Sequence, residues 1–212
     1  MSSKIPLCPT AILFDMDGVL VNTFAAWYES FVDLFAKVYG QPLPLEVFRQ
    51  RFWGRDLRDI FSELGLDLSI TDFCGGYFAK HTDKMDIFAD THATLAALSP
   101  YRKAVITNTP AACAELILRD LGIRKYFDQI ITGDDVAVGK PDPAIVLRGC
   151  KLLGCSPAQA VVVGDHRVDI EAGRQAGCKV IGVGIDGDYR IENLSELLIM
   201  LAQDARAPHP GN

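Results

Sequence analysis

The sequence lacks an apolar run long enough to cross a membrane, and it has no excess of basic residues. A membrane-spanning helix needs about 20 consecutive apolar residues, so we expect no membrane partner. The net charge of -6 argues against a nucleic-acid partner, because phosphate backbones favour a basic protein surface. Residues 1–9 also lack the basic start and apolar stretch of a secretory signal peptide. Together these absences predict a cytoplasmic protein.

The sequence also lacks any Cys-x-x-Cys pair. Most of its cysteines lie within apolar segments, which is typical of reduced core thiols. We therefore expect neither a disulfide nor a zinc site. The six cysteines are Cys8, Cys74, Cys113, Cys150, Cys155 and Cys178.

No strand-like run occurs between residues 20 and 100. Apolar residues there recur at helical spacing instead, as at Trp27, Phe31 and Leu34. This spacing predicts a helix that begins after Thr23 and ends before Gly40. Three further helices are predicted near residues 45–52, 56–64 and 70–84. The stretch is therefore interpreted as a helical insert.

Strand and helix patterns alternate from residue 101 onward, after a first strand at about residues 10–15. Further strands are predicted at residues 103–107, 129–132, 160–164 and 180–183. Helices are predicted at residues 110–121, 141–153, 167–176 and 193–202. Such alternation implies crossover connections and a parallel sheet covered on both faces. The sequence thus predicts an α/β fold, and 49% hydrophobic residues in a chain of 212 suffice for a sizeable core.

Polar side chains stand where four of the predicted strands end or shortly beyond. Ligands in open α/β sheets bind at the carboxyl ends of the strands, so these are the candidate functional residues. They are Asp15 and Asp17 after the first strand, Thr107 and Asn108 after the second, Lys140 after the third, and Asp165 and Asp169 after the fourth.

Each signal has a plainer interpretation when taken alone. Asp17-Gly18 is a common turn pair, and Asn108 before Thr109-Pro110 is suited to capping a helix. A single lysine such as Lys140 is usually exposed. These interpretations do not explain why all four signals share one edge of the sheet.

The acidic residues at this edge call for a cation. Two like charges 4 Å apart repel by about 4 kcal/mol at an effective dielectric constant of about 20, and Lys140 alone cannot balance four carboxylates. Ligand sets made only of oxygen atoms favour Mg²⁺ over zinc. We therefore predict Mg²⁺ as the cofactor.

In order and spacing, these signals resemble the motifs of the haloacid dehalogenase (HAD) superfamily, most closely those of phosphoglycolate phosphatase-like members. The resemblance covers about residues 10–200. It implies a Rossmann-like parallel-sheet core formed by residues 1–21 and 90–212, and an inserted helical C1-type cap formed by residues 22–89. The matching motifs are Asp15-x-Asp17-Gly18, Ile106-Thr107-Asn108, Gly139-Lys140-Pro141 and Gly164-Asp165-x-x-x-Asp169.

The resemblance implies Mg²⁺-dependent phosphoryl transfer through an aspartyl-phosphate. Asp15 would be the nucleophile and Asp17 the general acid and base. Lys140 would neutralise Asp15 and the phosphate, and Thr107 and Asn108 would hold the phosphoryl oxygens. The implied metal ligands are Asp15, Asp17, Asp165 and Asp169.

The implied substrate is a small phosphorylated metabolite, either phosphoglycolate-like or a sugar phosphate. Arg55 and Arg58 lie in a segment that resembles the cap loop facing the active site, and we expect Arg55 or Arg58 to bind a substrate carboxylate. An exposed arginine at a helix start is the alternative. A monomer and a homodimer both fit the sequence.

Two other functions stay open. One is a phosphomutase, although β-phosphoglucomutase-like relatives carry a histidine where this chain has Trp27. The other is a non-catalytic module that binds a phosphorylated metabolite, although Asp15 and Lys140 are both present. The fourth motif also departs from its usual form, because His166 stands in place of serine.

Overall fold

In the computed structural model, which describes residues 9–204, strands and helices alternate along most of the chain. The strands are β1 (Ala11–Phe14), β2 (Val21–Asn22), β3 (Asp86–Ile87), β4 (Arg102–Ile106), β5 (Gln129–Ile131), β6 (Ala160–Gly164), β7 (Lys179–Val183) and β8 (Tyr189–Ile191). The α-helices are α1 (Phe24–Tyr39), α2 (Leu45–Arg51), α3 (Leu57–Leu64), α4 (Ile70–Gly76), α5 (Thr91–Ala97), α6 (Ala111–Asp120), α7 (Ala144–Leu152), α8 (Arg167–Ala176) and α9 (Glu196–Asp204). Between residues 9 and 204, no helix combines the length and apolar character needed to cross a bilayer.

Six strands form one sheet in the order β5-β4-β1-β6-β7-β8, and every neighbouring pair is parallel. Strand β1 lies between β4 and β6, with Leu13 opposite Ala104 and Val162. The carboxyl ends of these three strands therefore meet at one edge of the sheet. The predicted α/β fold is confirmed.

Both faces of the sheet are covered. All four residues of β1 are fully buried, and they alternate between two apolar clusters. Ile12 and Phe14 belong to one cluster, and Ala11 and Leu13 belong to the other. This alternation follows from the two-residue period of a strand, and burial on both faces explains the unbroken apolar run of β1.

The helical insert leaves and re-enters the core through β2 and β3. These two strands pair antiparallel, with Val21 opposite Ile87, and α1 to α4 lie between them. The expectation of no strand between residues 20 and 100 was therefore wrong. Each of these strands has two residues, which is too short to give a recognisable alternating pattern.

Aromatic side chains form the interior of the cap, the name we keep for residues 22–89. Phe31 of α1 lies at its centre, with ring centroids 5.4 Å from those of Phe48, Phe52 and Phe73. These rings belong to the same apolar cluster as Phe14 of the central strand. The cap therefore packs continuously onto one face of the sheet.

Two predicted helices have different bounds in the structure. The helix predicted at residues 70–84 ends as α4 at Gly76, and a 3₁₀ helix (Phe78–Lys84) follows. Two consecutive glycines weaken an α-helix at this point. The helix predicted from residue 141 begins at Ala144, where Asp142 Oδ1 accepts the first free backbone N–H at 2.8 Å. Helix α5 and strand β8 were not predicted.

The expectation that all cysteines are reduced was wrong for one pair. Cys74 of α4 and Cys113 of α6 form a disulfide, with a Cα–Cα distance of 5.6 Å. The two residues are 39 positions apart, and nothing in their local sequence indicates that the fold brings them together. Cys150, Cys155 and Cys178 are free thiols, as expected, and Cys8 lies outside the described residues. The disulfide joins the cap to the core.

Candidate active site

The structure brings the sequence-predicted acidic residues and Lys140 to one edge of the sheet. The central position of β1 between β4 and β6 explains this convergence. Asp15 follows β1, Thr107 and Asn108 follow β4, Lys140 lies in the loop between β5 and α7, Asp165 follows β6, and Asp169 lies in the first turn of α8.

The Lys140 ammonium group is buried between two carboxylates. Its Nζ lies 2.5 Å from Asp15 Oδ1 and 2.6 Å from Asp169 Oδ1, and it donates a third hydrogen bond to the Ile106 carbonyl at 3.0 Å. Only 2% of the lysine side chain is exposed. Burial alone would lower the pKa of Lys140, but the two carboxylates outweigh it and hold the pKa above its ordinary value. The lysine is therefore a fixed positive charge.

Three carboxylates crowd around this lysine. One oxygen from each of Asp15, Asp165 and Asp169 lies within 4.8 Å of the others. Burial, and then repulsion from Asp169, raises the pKa of Asp165 to about 7. Burial also raises the pKa of Asp15 well above its ordinary value, against the opposing effect of Lys140. The ionised cluster is thus short of positive charge.

This cluster fits a hard divalent cation. It offers carboxylate oxygens only, which are the ligands that Mg²⁺ prefers, and a cation would offset the repulsion that raises these pKa values. The backbone at Gly18 lies so close to Asp165 that a Cβ at residue 18 would overlap the Asp165 carboxylate. Gly18 also has φ = +92°, so a residue with a side chain would be strained there. The loop that carries Asp17 is therefore held tightly against the cluster.

Asp17 lies beside the cluster and is held by three side-chain donors. Its Oδ1 accepts hydrogen bonds from the Thr23 hydroxyl and from Trp27 Nε1, the latter at 3.1 Å. Its Oδ2 accepts one from the Thr109 hydroxyl at 2.7 Å. These partners fix the orientation of the Asp17 carboxylate.

Thr107 and Asn108 both lie at this edge, but the amide of Asn108 is occupied by backbone groups. Its Oδ1 accepts the Lys140 N–H at 2.7 Å, and its Nδ2 donates to the Lys140 carbonyl at 3.0 Å. The same Nδ2 lies 3.3 Å from the Gly54 carbonyl of the cap. The Asn108 side chain therefore positions the lysine loop.

Arg55 lines the cavity between cap and core, but its guanidinium is paired within the cap. It donates to Glu63 Oε2 at 2.8 Å and to the Arg51 carbonyl at 2.9 Å. The guanidinium of Arg55 is thus paired with Glu63, and no contact joins it to Lys140 or to the acidic cluster among the hydrogen bonds of residues 9–204.

Four residues at this site were not assigned these contacts from the sequence. Thr23, Trp27 and Thr109 hold Asp17, and His166 lines the cavity while its backbone N–H donates to Asp169 Oδ2 at 3.0 Å. The sequence gives a weak indication of the Trp27 contact, because Trp27 lies near the start of a predicted helix that closely follows the acidic loop. Thr109 gave no signal beyond its position after Asn108.

Comparisons with known proteins identify the family of this chain. A family model described as haloacid dehalogenase-like hydrolase matches residues 12–183. The chain is 32% identical over 229 residues to a plasmid-encoded phosphoglycolate phosphatase from Cupriavidus necator, covering 97% of this chain and 99% of the relative. It is 30% identical over 208 residues to pyrophosphatase PpaX from Bacillus velezensis, covering 89% and 94%.

The fold also matches solved structures. The crystal structure of CbbY from Rhodobacter sphaeroides, in complex with phosphate, has a TM-score of 0.79 and 24% identity, covering 92% of this chain and 99% of that one. This likeness shows a shared fold. The family model and the sequence relatives go further: the chain belongs to the haloacid dehalogenase-like hydrolase family.

Proposed function

We propose that this protein is a Mg²⁺-dependent phosphatase that hydrolyses a small phosphorylated metabolite through a phosphorylated Asp15. The observation that carries this proposal is the contact of the buried Lys140 with Asp15, beside two further carboxylates. A carboxylate nucleophile, a fixed cation and a metal-binding set are what phosphoryl transfer requires. The named activities of the relatives, pyrophosphatase and phosphoglycolate phosphatase, also involve phosphate release.

The first chemical step forms the phosphorylated aspartate. An Asp15 oxygen attacks phosphorus, and the bond between phosphorus and the leaving oxygen breaks. Asp17 gives its proton to that oxygen, so the alcohol leaves neutral. A positioned acid of this kind contributes typically 10²–10⁴ in rate.

The second step restores the enzyme. The Asp17 carboxylate takes a proton from water, and the water oxygen attacks the phosphorus bound to Asp15. The bond from phosphorus to Asp15 breaks, inorganic phosphate leaves, and both carboxyl groups return to their first state. Lys140 offsets negative charge in both steps, and we assign Thr107 to the phosphoryl oxygens.

The metal would be held by Asp15, Asp165 and Asp169, with the backbone carbonyl of Asp17 as a further oxygen ligand. When bound, Mg²⁺ would neutralise part of the phosphoryl charge, so that an anionic nucleophile can approach an anionic substrate.

Phosphate release from p-nitrophenyl phosphate, with and without Mg²⁺, tests this function. We expect turnover that needs Mg²⁺ and is lost in Asp15→Asn. The matched control is Asp186→Asn, because the Asp186 side chain is 93% exposed and should leave turnover unchanged. Full activity in Asp15→Asn would contradict the proposed nucleophile. Transfer of phosphate between sugar positions without release would favour the phosphomutase instead.

A further inference from the structure

The cap covers the candidate active site with an apolar wall. The cavity between cap and core has a volume of about 60 Å³. Aromatic and aliphatic side chains make up most of the cap's share of its lining. They are the half-buried Trp53 and, at most 5% exposed, Trp27, Phe31, Phe48, Phe52 and Leu57.

Arg55 is the single charged residue that the cap contributes to this lining within residues 9–204, and its charge is already neutralised. The guanidinium lies 2.8 Å from Glu63 Oε2, and Arg51 pairs with the other oxygen of the same carboxylate. The Arg55 side chain is 38% exposed. Its charged end is therefore directed to a surface ion-pair cluster.

Arg58, the other arginine of this segment, is also paired. Its guanidinium lies 2.5 Å from Asp56 Oδ2 and donates to the Val136 carbonyl at 2.9 Å. Asp56 is buried and also caps α3 by accepting the Arg58 N–H. Neither arginine is free to bind an anionic group at the cap side of the cavity.

Besides His166, the core side of the cavity contributes one basic side chain within residues 9–204, a lysine that is already paired. Its lysine, Lys140, is shared between Asp15 and Asp169. With one divalent cation bound and Asp17 protonated, as the first chemical step requires, Lys140 and the cation just balance the carboxylates of Asp15, Asp165 and Asp169 and leave no excess positive charge. A second anion on the substrate would thus be desolvated without a partner, which is strongly unfavourable.

We propose that the substrate is a phosphate monoester of an uncharged, apolar alcohol, and that the cap wall selects it over esters with a second anionic group. This inference rests on the phosphatase function proposed above. The apolar part of the alcohol leaves water on binding and contacts the aromatic wall, which favours association. Sugar hydroxyl groups would lose hydrogen bonds to water at the same wall. The chemistry differs from the phosphoglycolate-like substrate that the family resemblance implies.

A pair of substrates with similar shape and different charge tests the inference. Isobutyl phosphate resembles phosphoglycolate in outline but carries a branched hydrocarbon in place of the carboxylate. With Mg²⁺ at saturation, we expect kcat/KM for isobutyl phosphate to exceed that for phosphoglycolate by at least about tenfold, which corresponds to about 1.4 kcal/mol. We expect kcat/KM for benzyl phosphate to exceed that for pyrophosphate likewise.

Equal kcat/KM values within a pair, or a preference for phosphoglycolate or pyrophosphate, would overturn the substrate class and leave the phosphatase function intact. No phosphate release from any of these compounds or from p-nitrophenyl phosphate would overturn both.

The variant Glu63→Gln tests the charge argument directly. It releases Arg55 from its ion pair at an exposed position, so folding should be preserved, and melting temperature checks this. We expect the preference for isobutyl phosphate over phosphoglycolate to fall at least about threefold, through a lower KM for phosphoglycolate. The matched control is Glu46→Gln, which removes a carboxylate of α2 that contacts Gln50. An unchanged preference in Glu63→Gln, or an equal change in the control, would overturn the role assigned to the neutralised arginine.

Discussion

Replacement of Asp165 by asparagine should stabilise the metal-free protein. Burial, and then the nearby carboxylate of Asp169, raises the Asp165 pKa from 3.8 to about 7. The unfolded chain ionises near the lower value, so it binds fewer protons than the folded chain between these two values. Stability of the metal-free protein therefore falls as pH rises from about 4 to about 7. Asparagine is similar in shape and does not ionise.

The size of the effect follows from the two pKa values. A tenfold change in an ionisation constant corresponds to about 1.4 kcal/mol, so the raised pKa of Asp165 lowers the free energy of unfolding by about 4 kcal/mol at about pH 8, where the folded group is ionised, and by about 2 kcal/mol at about pH 5, where it is protonated. We expect Asp165→Asn to raise the free energy of unfolding by up to these amounts in metal-free buffer. Removal of the same charge from the exposed Asp186 should change it by less than about 0.5 kcal/mol.

Urea denaturation in a chelator, at about pH 5 and about pH 8, measures both differences. Mg²⁺ at about 100-fold above its Kd should then stabilise the wild type by about 2.7 kcal/mol, and Asp165→Asn by much less. Equal unfolding free energies for the wild type and Asp165→Asn in chelator at about pH 8 would refute the argument that this carboxylate is held ionised at a cost.

Three further outcomes are expected. Lys140→Met should lower kcat by at least about 100-fold and destabilise the fold by about 3–5 kcal/mol, because Asp15 and Asp169 lose their shared partner; phosphate release and urea denaturation measure these, and near-wild-type values for both would contradict the buried ion pairs. Trp27→Phe should lower kcat by about tenfold or more, since one donor to the Asp17 carboxylate is lost; steady-state kinetics at unchanged melting temperature measures this, and unchanged kcat would be evidence against that contact. Cys113→Ser should lower the free energy of unfolding by about 2–4 kcal/mol without reductant and by much less with dithiothreitol, whereas an equal loss in both conditions would exclude a disulfide effect.

The core strands and the acidic edge could be predicted because each depends on short-range sequence patterns. The apolar run Ala11–Phe14 lies on β1, and the strand predicted at residues 160–164 has the observed bounds Ala160–Gly164. In a parallel sheet, residues that follow neighbouring strands are brought together by topology alone. This is why Asp15 and Asp165 meet although 150 residues separate them in the sequence.

Features that depend on long-range packing could not be predicted in this way. The link between Cys74 and Cys113 requires α4 and α6 to be adjacent, and no local pattern carries that information. The position of Arg55 near the cavity was expected, but its ion pair with Glu63 was not. That ion pair depends on the direction in which α3 leaves the loop that carries Arg55. Tertiary packing therefore determines whether the charge of an arginine such as Arg55 is available to bind a substrate.

Side-chain roles within a motif were equally hard to assign. Asn108 follows β4 at the expected edge of the sheet, and its contact with a phosphoryl oxygen stays a prediction. In the structure its amide groups contact the backbone of Lys140 on both sides. The type and place of a residue were readable from the sequence, whereas its hydrogen-bond partners were fixed by the lysine loop.

Asp17 takes its donors from both of the bodies that meet at the cavity. Thr23 and Trp27 follow β2 into the cap, whereas Thr109 belongs to the core. Movement of the cap away from the sheet would remove the two donors to Asp17 Oδ1 and leave the carboxylate held by Thr109 alone. Asp17 would then be oriented for proton transfer only when the cap encloses the ester. With the cap open, the acid would not point at the leaving oxygen.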